Sequence, residues 1–289
     1  MEDRTNQQIF EENQRMFRES QQMLEHLNKE LKQLKRAQAR VKRHTTFLLT
    51  IIAMLVLITS TLAWFTLSNF AAVNDLSLKI STAPELYIDI ENRGTDTSLW
   101  KKTLTNDMIN TYLTSVSAPK LSDQLLDPVT SSNGISFKSQ SGSARTANST
   151  SYVEFKCWFL ATKEMYVHLS GQTVQVDGAS ATTSCTTTDT GAKADIVKAV
   201  RVSFEDSGSA AIWEPNQGTA VAGQTTFDVS STFNNSTRLF HLDALSPKQI
   251  TVRIWAEGED PECDNDVQSA NLTIQLLFGG SDENNASFE

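Results

Sequence analysis

The sequence predicts a mainly β protein: a jelly-roll-like antiparallel β-sandwich that follows an N-terminal helix and a single transmembrane helix. Three observations predict it. Thr45 to Phe65, TTFLLTIIAMLVLITSTLAWF, carries no charge and is about as long as the ~20 apolar residues that cross a bilayer core. Before it, Glu11 to Arg43 lacks Gly and Pro and is rich in Glu, Gln, Leu, Lys and Arg, all good helix formers. After it the hydrophobic period falls from helical spacing to two.

The helix at 1–44 is placed in the cytoplasm by its charges. Lys32, Lys35, Arg36, Arg40, Lys42 and Arg43 precede the apolar run with no acidic residue among them, whereas Asp75 comes before Lys79 on the far side. Basic flanks stay inside, which leaves the C-terminal part outside. The run reads as a retained anchor, with cleavage after Ala63 as the alternative, since small residues also suit a signal peptidase. Leu24, Leu27, Leu31 and Leu34 make a seam at coiled-coil spacing, degraded upstream by Asn13 and Ser20. The seam has two readings: a homo-oligomeric stub, or a solvated helix whose basic end rests on anionic lipid.

Beyond the span, residues 66–280 read as one extracytoplasmic β domain. Leu76, Leu78 and Ile80 alternate with polar residues, as do Leu86, Ile88 and Ile90. The pattern returns at Val153 to Phe159, Val200 to Phe204, Ile250 to Ile254 and Leu272 to Phe278. One buried face per strand suits two sheets packed face to face. Only 104–116 has helical spacing, a predicted insertion. Ser122 to Ser151 and Ala179 to Lys193 are Ser/Thr-rich and predict mobile surface loops, and 281–289 predicts a disordered tail.

The charge of −9 divides unevenly: residues 1–44 carry ten Lys/Arg against seven Asp/Glu, and the rest carries 15 against 27. An acidic outer domain excludes nucleic acid as a partner, because phosphate binding needs a basic face. Cys157, in an apolar strand, reads as a buried thiol; Cys185 and Cys263 are the pair to form a disulfide, if one forms. Asn148, Asn234, Asn235, Asn271 and Asn285 match the N-glycosylation acceptor pattern.

No H-E-x-x-H, G-x-S-x-G, P-loop or G-x-G-x-x-G occurs, so no catalytic or cofactor-binding residue is assigned and no enzyme is expected. His168 reads as a surface-facing strand histidine, and His241 is the only other histidine after the span. The dense chemical cluster is Glu257, Glu259, Asp260, Glu262, Asp264 and Asp266. Its carboxylates are hard ligands suited to Ca²⁺, or else a solvated rim turn, since the spacing is not that of an EF-hand. Trp158 and Trp255 fall on the outward sides of their strands, either exposed for a carbohydrate or protein contact or lying under the helical insertion.

Ala63-Trp64-Phe65-Thr66, then a polar break and a first strand at Asp75 to Ile80, resembles the start of TasA/camelysin-like exported proteins of Gram-positive bacteria. Ile250 to Cys263 is similar to a penultimate strand and acidic turn of surface proteins with that leader. The resemblance implies a jelly-roll domain at the cell surface or in a biofilm matrix, with matrix or surface-protein partners and, in some members, fibres formed by strand donation. The chain departs from the pattern in its long N-terminal helix, which indicates a tether rather than a released subunit. The expected function is therefore a membrane-anchored structural or adhesive surface protein. Its alternatives are a transmembrane sensor coupling a ligand to helix packing, and a cell-envelope hydrolase or protease.

Overall fold

The computed structural model describes residues 71–81, 85–148 and 150–288, with 15–16, 19–21, 23–24, 26–27, 29, 31–36, 38, 42, 46–52 and 54. The chain divides into two compact units, Met1–Leu67 and Ser68–Glu289.

All the described residues of the first unit are helical. Leu24, Leu27, Leu31 and Leu34 are each more than half exposed, as are Met16 and Met23. Phe47, Leu48, Leu49, Ile52 and Met54 continue the bare apolar surface. Thr46 and Thr50 turn their hydroxyls back to the carbonyls of Lys42 and Thr46, at 2.8 and 2.9 Å, so neither asks for an outside partner. Among the described residues no helix is long and apolar enough to cross a membrane. The expected span and the Ala63 to Thr66 motif lie largely or wholly outside them.

The second unit is β-rich. In chain order its strands are β1 (Ala72–Ile80), β2 (Leu86–Asp89), β3 (Thr103–Leu104), β4 (Val129–Thr130), β5 (Phe137–Ser139), β6 (Ala144–Arg145), β7 (Tyr152–Ala161), β8 (Met165–Leu169), β9 (Val174–Val176), β10 (Ala179–Ala181), β11 (Ser184–Thr186), β12 (Val200–Asp206), β13 (Ser209–Trp213), β14 (Thr226–Phe227), β15 (Arg238–Leu242), β16 (Lys248–Ala256) and β17 (Asn271–Ser281). The expected insertion is helix α1 (Asn106–Ser115). Thr105 caps it through Met108 N–H, and it buries Ile109 and Leu113.

The first large sheet runs β15-β8-β17-β1-β3, with β11 also on β17; the second runs β14-β13-β12-β16-β7-β2. One apolar core takes side chains from both. Phe159 of β7 meets Phe240 and Phe278 at ring distances of 5.0 and 5.1 Å, and Phe204 of β12 meets Phe278 at 5.7 Å. Deleting one such ring costs about 3–5 kcal/mol.

Purely antiparallel pairing does not hold. β1 lies parallel to β17, and β13 parallel to β14. A strand entering from residue 71 and the last long strand run side by side in the same direction. Their joint apolar face (Leu76, Leu78, Ile80 with Leu272, Ile274, Leu276) is buried in the shared core.

The Ser/Thr-rich segments are built in rather than mobile loops. Residues 129–145 form a small sheet, β4-β5-β6, that covers the outer side of the second sheet. Two apolar anchors suffice: Val129 and Phe137 make a second core with Tyr152, Ile212 and Trp255. Phe137 stacks on Tyr152 at 4.0 Å and meets Trp255 edge-on at 5.1 Å. The turn before β5 is held by Asn133 Oδ1, which accepts from Ile135 and Ser136 N–H. Gly134 is required there: its φ is +67°, and a Cβ would stand 2.7 Å from that of Ser203. Trp255 is thus buried under β5, not exposed and not under α1. Trp158 is half-buried.

The expected disordered tail is also placed as far as Phe288. Residues 282–288 fold back on β17: Ser287 bridges Ser281, Phe288 N–H donates to Gly280 O, and the Phe288 ring packs on the core.

Candidate functional site

The acidic turn joins β16 to β17, and its six carboxylates separate into two groups. Glu257 and Asp260 point inward and are buried. Glu257 Oε2 accepts from Trp255 Nε1 at 3.0 Å, Gln224 Nε2 at 2.9 Å and Ser131 N at 3.4 Å. Asp260 Oδ2 accepts from Arg201 Nη2 at 2.7 Å, and its Oδ1 from Glu262 N. Glu262 leans outward to the hydroxyl and N–H of Thr219. Asp264 caps a short 3₁₀ turn through Asp266 N–H. Glu259, Asp264 and Asp266 are exposed. Among the described residues, no three His, Cys, Asp or Glu side chains are grouped to hold a metal ion.

The hub of the turn is Arg201, which no sequence motif marks. It lies on β12 between Val200 and Val202 and has no exposed surface. Nη1 donates to the carbonyls of Lys198 and Val200, and Nε to Gln224 Oε1. Nη2 faces Asp260, with Glu214 Oε1 at 3.0 Å on the other side. That Glu214 oxygen has no hydrogen bond, while Oε2 accepts from Thr226 Oγ1 at 2.9 Å. Gly218 closes over the hub, where a Cβ would come within 2.8 Å of Asp260 Oδ2. The one sequence signal for Arg201 is a single cation inside an apolar strand of an acidic domain.

Two buried carboxylates, Asp260 and Glu214, share one guanidinium, and Glu257 lies buried nearby without a cation of its own, so the site holds surplus negative charge. Burial pushes the Asp260 carboxyl up to about 6; the Glu262 carboxyl adds to this and Arg201 opposes it. Glu262 is held down at about 2, first by its hydrogen bond with Asp260. The Cys263 thiol is pushed up to about 12 by burial and the neighbouring carboxylates. It is not a nucleophile at neutral pH. Cys185 and Cys263, the pair favoured if a disulfide forms, are not joined: all three cysteines are free. Cys185, predicted in a polar loop, is instead on β11 against β17, inside the core.

His168 is buried, not surface-facing. Its ring stacks on Phe233 at 4.4 Å. Nδ1 lies 3.0 Å from Thr237 Oγ1 and Nε2 lies 2.8 Å from Ser281 Oγ. Burial, with the charge of Arg238 adding to it, lowers its pKa to about 4. A Ser–His contact is half of a hydrolytic arrangement, but this ring is sealed from solvent. Hydroxyls occupy both nitrogens, so no carboxylate orients it as a general base. His241 is half-exposed and pairs with Glu164 at 3.1 Å.

Two open clefts of about 500 Å³ flank these elements. One is lined by Trp213, Glu214, Asn216 and Asp228 beside β11. The other is lined by Asp75, Lys79, Asp107 and Asp177 beside β1. Both are open and mixed in lining, unlike the apolar, enclosed cavities that bury small ligands. No protein-family model matches this chain, and no curated protein matches it.

Proposed function

We propose that this protein is a single-pass, membrane-tethered surface protein with a structural or adhesive role, displaying a jelly-roll-type sandwich on an oligomerising helix. The observation that carries the reading is the bare apolar helix surface at Phe47, Leu48, Leu49, Ile52 and Met54. Large side chains left in water side by side mark a surface that something else covers. Here they belong to a 21-residue uncharged run with a basic N-terminal flank, the pattern of a span with its N-terminus inside. The exposed Leu24, Leu27, Leu31 and Leu34 seam supports self-association of the preceding helix. The likeness of the 63–66 segment to TasA/camelysin-like leaders supports export of the β-rich unit beyond it.

Outside, the inward-facing charges favour a structural role over catalysis. Display at the surface, with strand addition at an open sheet edge, is the mechanism that such a domain supports. Calcium would have to engage Glu259, Asp264 and Asp266, the carboxylates left in solvent.

The test is external proteolysis of intact cells carrying an epitope at each end. The C-terminal epitope should be lost while the N-terminal one stays protected. Protection of both, or loss of both, contradicts the topology. Leu27→Cys should then give disulfide-linked dimers under oxidation; only monomer would remove the oligomeric helix from the account.

A further inference from the structure

We propose that β1 and β17 form a shear clamp through which the β-rich unit carries tension between its N-terminal attachment and its C-terminal pole. The tethered reading gives the clamp its use, but the geometry stands without it. β1 pairs with β17 in parallel over eight positions, from Ala72↔Asn271 to Ile80↔Phe278. Two parallel strands begin at one pole and finish at the other. The chain enters β1 at the first pole and leaves β17 at the second. Tension between the two ends therefore slides the strands past each other along their axes.

Inter-strand hydrogen bonds cross between neighbouring strands. Pulled along the axis, they share the load and must fail together; pulled apart from one end, they fail one at a time. Antiparallel terminal strands would bring both chain ends to one pole and would unzip. The clamp is reinforced where each load enters. At the first pole Asn74 Nδ2 donates to Asn271 Oδ1 at 2.8 Å, and Asp189 accepts from Asn271 N–H at 2.8 Å. At the second, Ser281 is held by His168. Arg238 grips the fold-back beyond it, through Asn285 Oδ1 at 3.1 Å and Glu283 O at 2.7 Å. Between the poles, sliding would drag Leu76, Leu78 and Ile80 through a close-packed core.

The test is force spectroscopy on the full chain in detergent, in two geometries at one loading rate. In the first, handles are attached to the two chain ends. In the second, the C-terminal handle moves to Asp266→Cys, exposed just before β17, so that both loads act at the first pole and β1 is peeled. Cys157 and Cys185 are buried and Cys263 is held as a thiol, so the new cysteine is the reactive one. The N-terminal helix is loaded in both geometries and cancels from the comparison. The clamp predicts a small early release of the 282–288 fold-back in the first geometry. The main rupture should then come at a force several-fold above that of the second. Equal forces, or a weaker end-to-end rupture, would overturn it. Either result is independent of the proteolysis test, so failure of the clamp and failure of the tether are told apart.

Discussion

The inner face of the second sheet and the part of its outer face that lies under residues 129–145 are both buried, but by different physics. Its inner face (Val153, Phe155, Phe159, Val202, Phe204, Val252) meets the first sheet with apolar side chains alone. Its outer face carries Arg201, Ser203, Arg253 and Trp255, roofed by residues 129–145 and the acidic turn. The inner face gains stability from each methylene removed from water. The outer face must satisfy every polar group it hides, because an unpaired one costs more than a pair contributes. The inner face should therefore tolerate repacking, and the outer one should fail by single deletions.

The largest expected effects set the faces against each other. Arg201→Ala leaves Asp260 and Glu214 without their cation and should cost about 3–5 kcal/mol; Phe159→Ala should cost about as much through its cavity. Adding Asp260→Asn should recover part of the first loss and none of the second, measured by denaturant unfolding. Strict additivity at Arg201 and Asp260 would break the comparison.

Next comes pH. His168 falls from 6.5 to about 4 on folding, so its stabilising neutral form is fully present above 6.5 and is lost as pH falls through 4. About 3 kcal/mol should disappear over that window, since the ring has no exposed surface. Asp260 acts in the opposite sense: raised from 3.8 to about 6, it adds stability as pH falls through the same range. His168→Gln should therefore reverse the slope between pH 6 and 4.5, with the melting temperature rising on acidification. An unchanged slope would remove His168 from the account.

Trp255→Phe keeps the second core but strands Glu257 without its indole donor, and should cost about 1–2 kcal/mol. Smallest of all, Glu259→Gln on the exposed turn should stay within about 0.5 kcal/mol. Millimolar Ca²⁺ against chelator should leave the melting temperature in place; a clear rise would return the turn to metal binding.

The inner face could be read from sequence because period-two alternation reports burial against another sheet. Leu76 to Ile80, Val153 to Phe159, Val200 to Phe204, Ile250 to Ile254 and Leu272 to Phe278 all lie in strands, and α1 stands where Leu104 to Val116 has helical spacing. The outer face could not be read that way. Val129 and Phe137 are too few to raise a signal, yet enough to anchor a sheet over Trp255. Arg201 and His168 look like surface residues by type; each is buried because its partners come from far along the chain: Asp260 and Glu214 for one, Thr237 and Ser281 for the other. Nor does alternation carry strand direction, so the parallel β1–β17 pair was invisible.

The claim on which the proposed function depends is that the uncharged run from Thr45 lies in a bilayer. Alkaline carbonate extraction of cells expressing the full chain puts that claim at risk. The protein should stay in the membrane pellet, and a Leu55→Lys/Val56→Lys variant should shift to the supernatant, since two charges at the middle of the run cost about 5–7 kcal/mol. Wild-type protein released into the supernatant would contradict the tether and the surface display built on it.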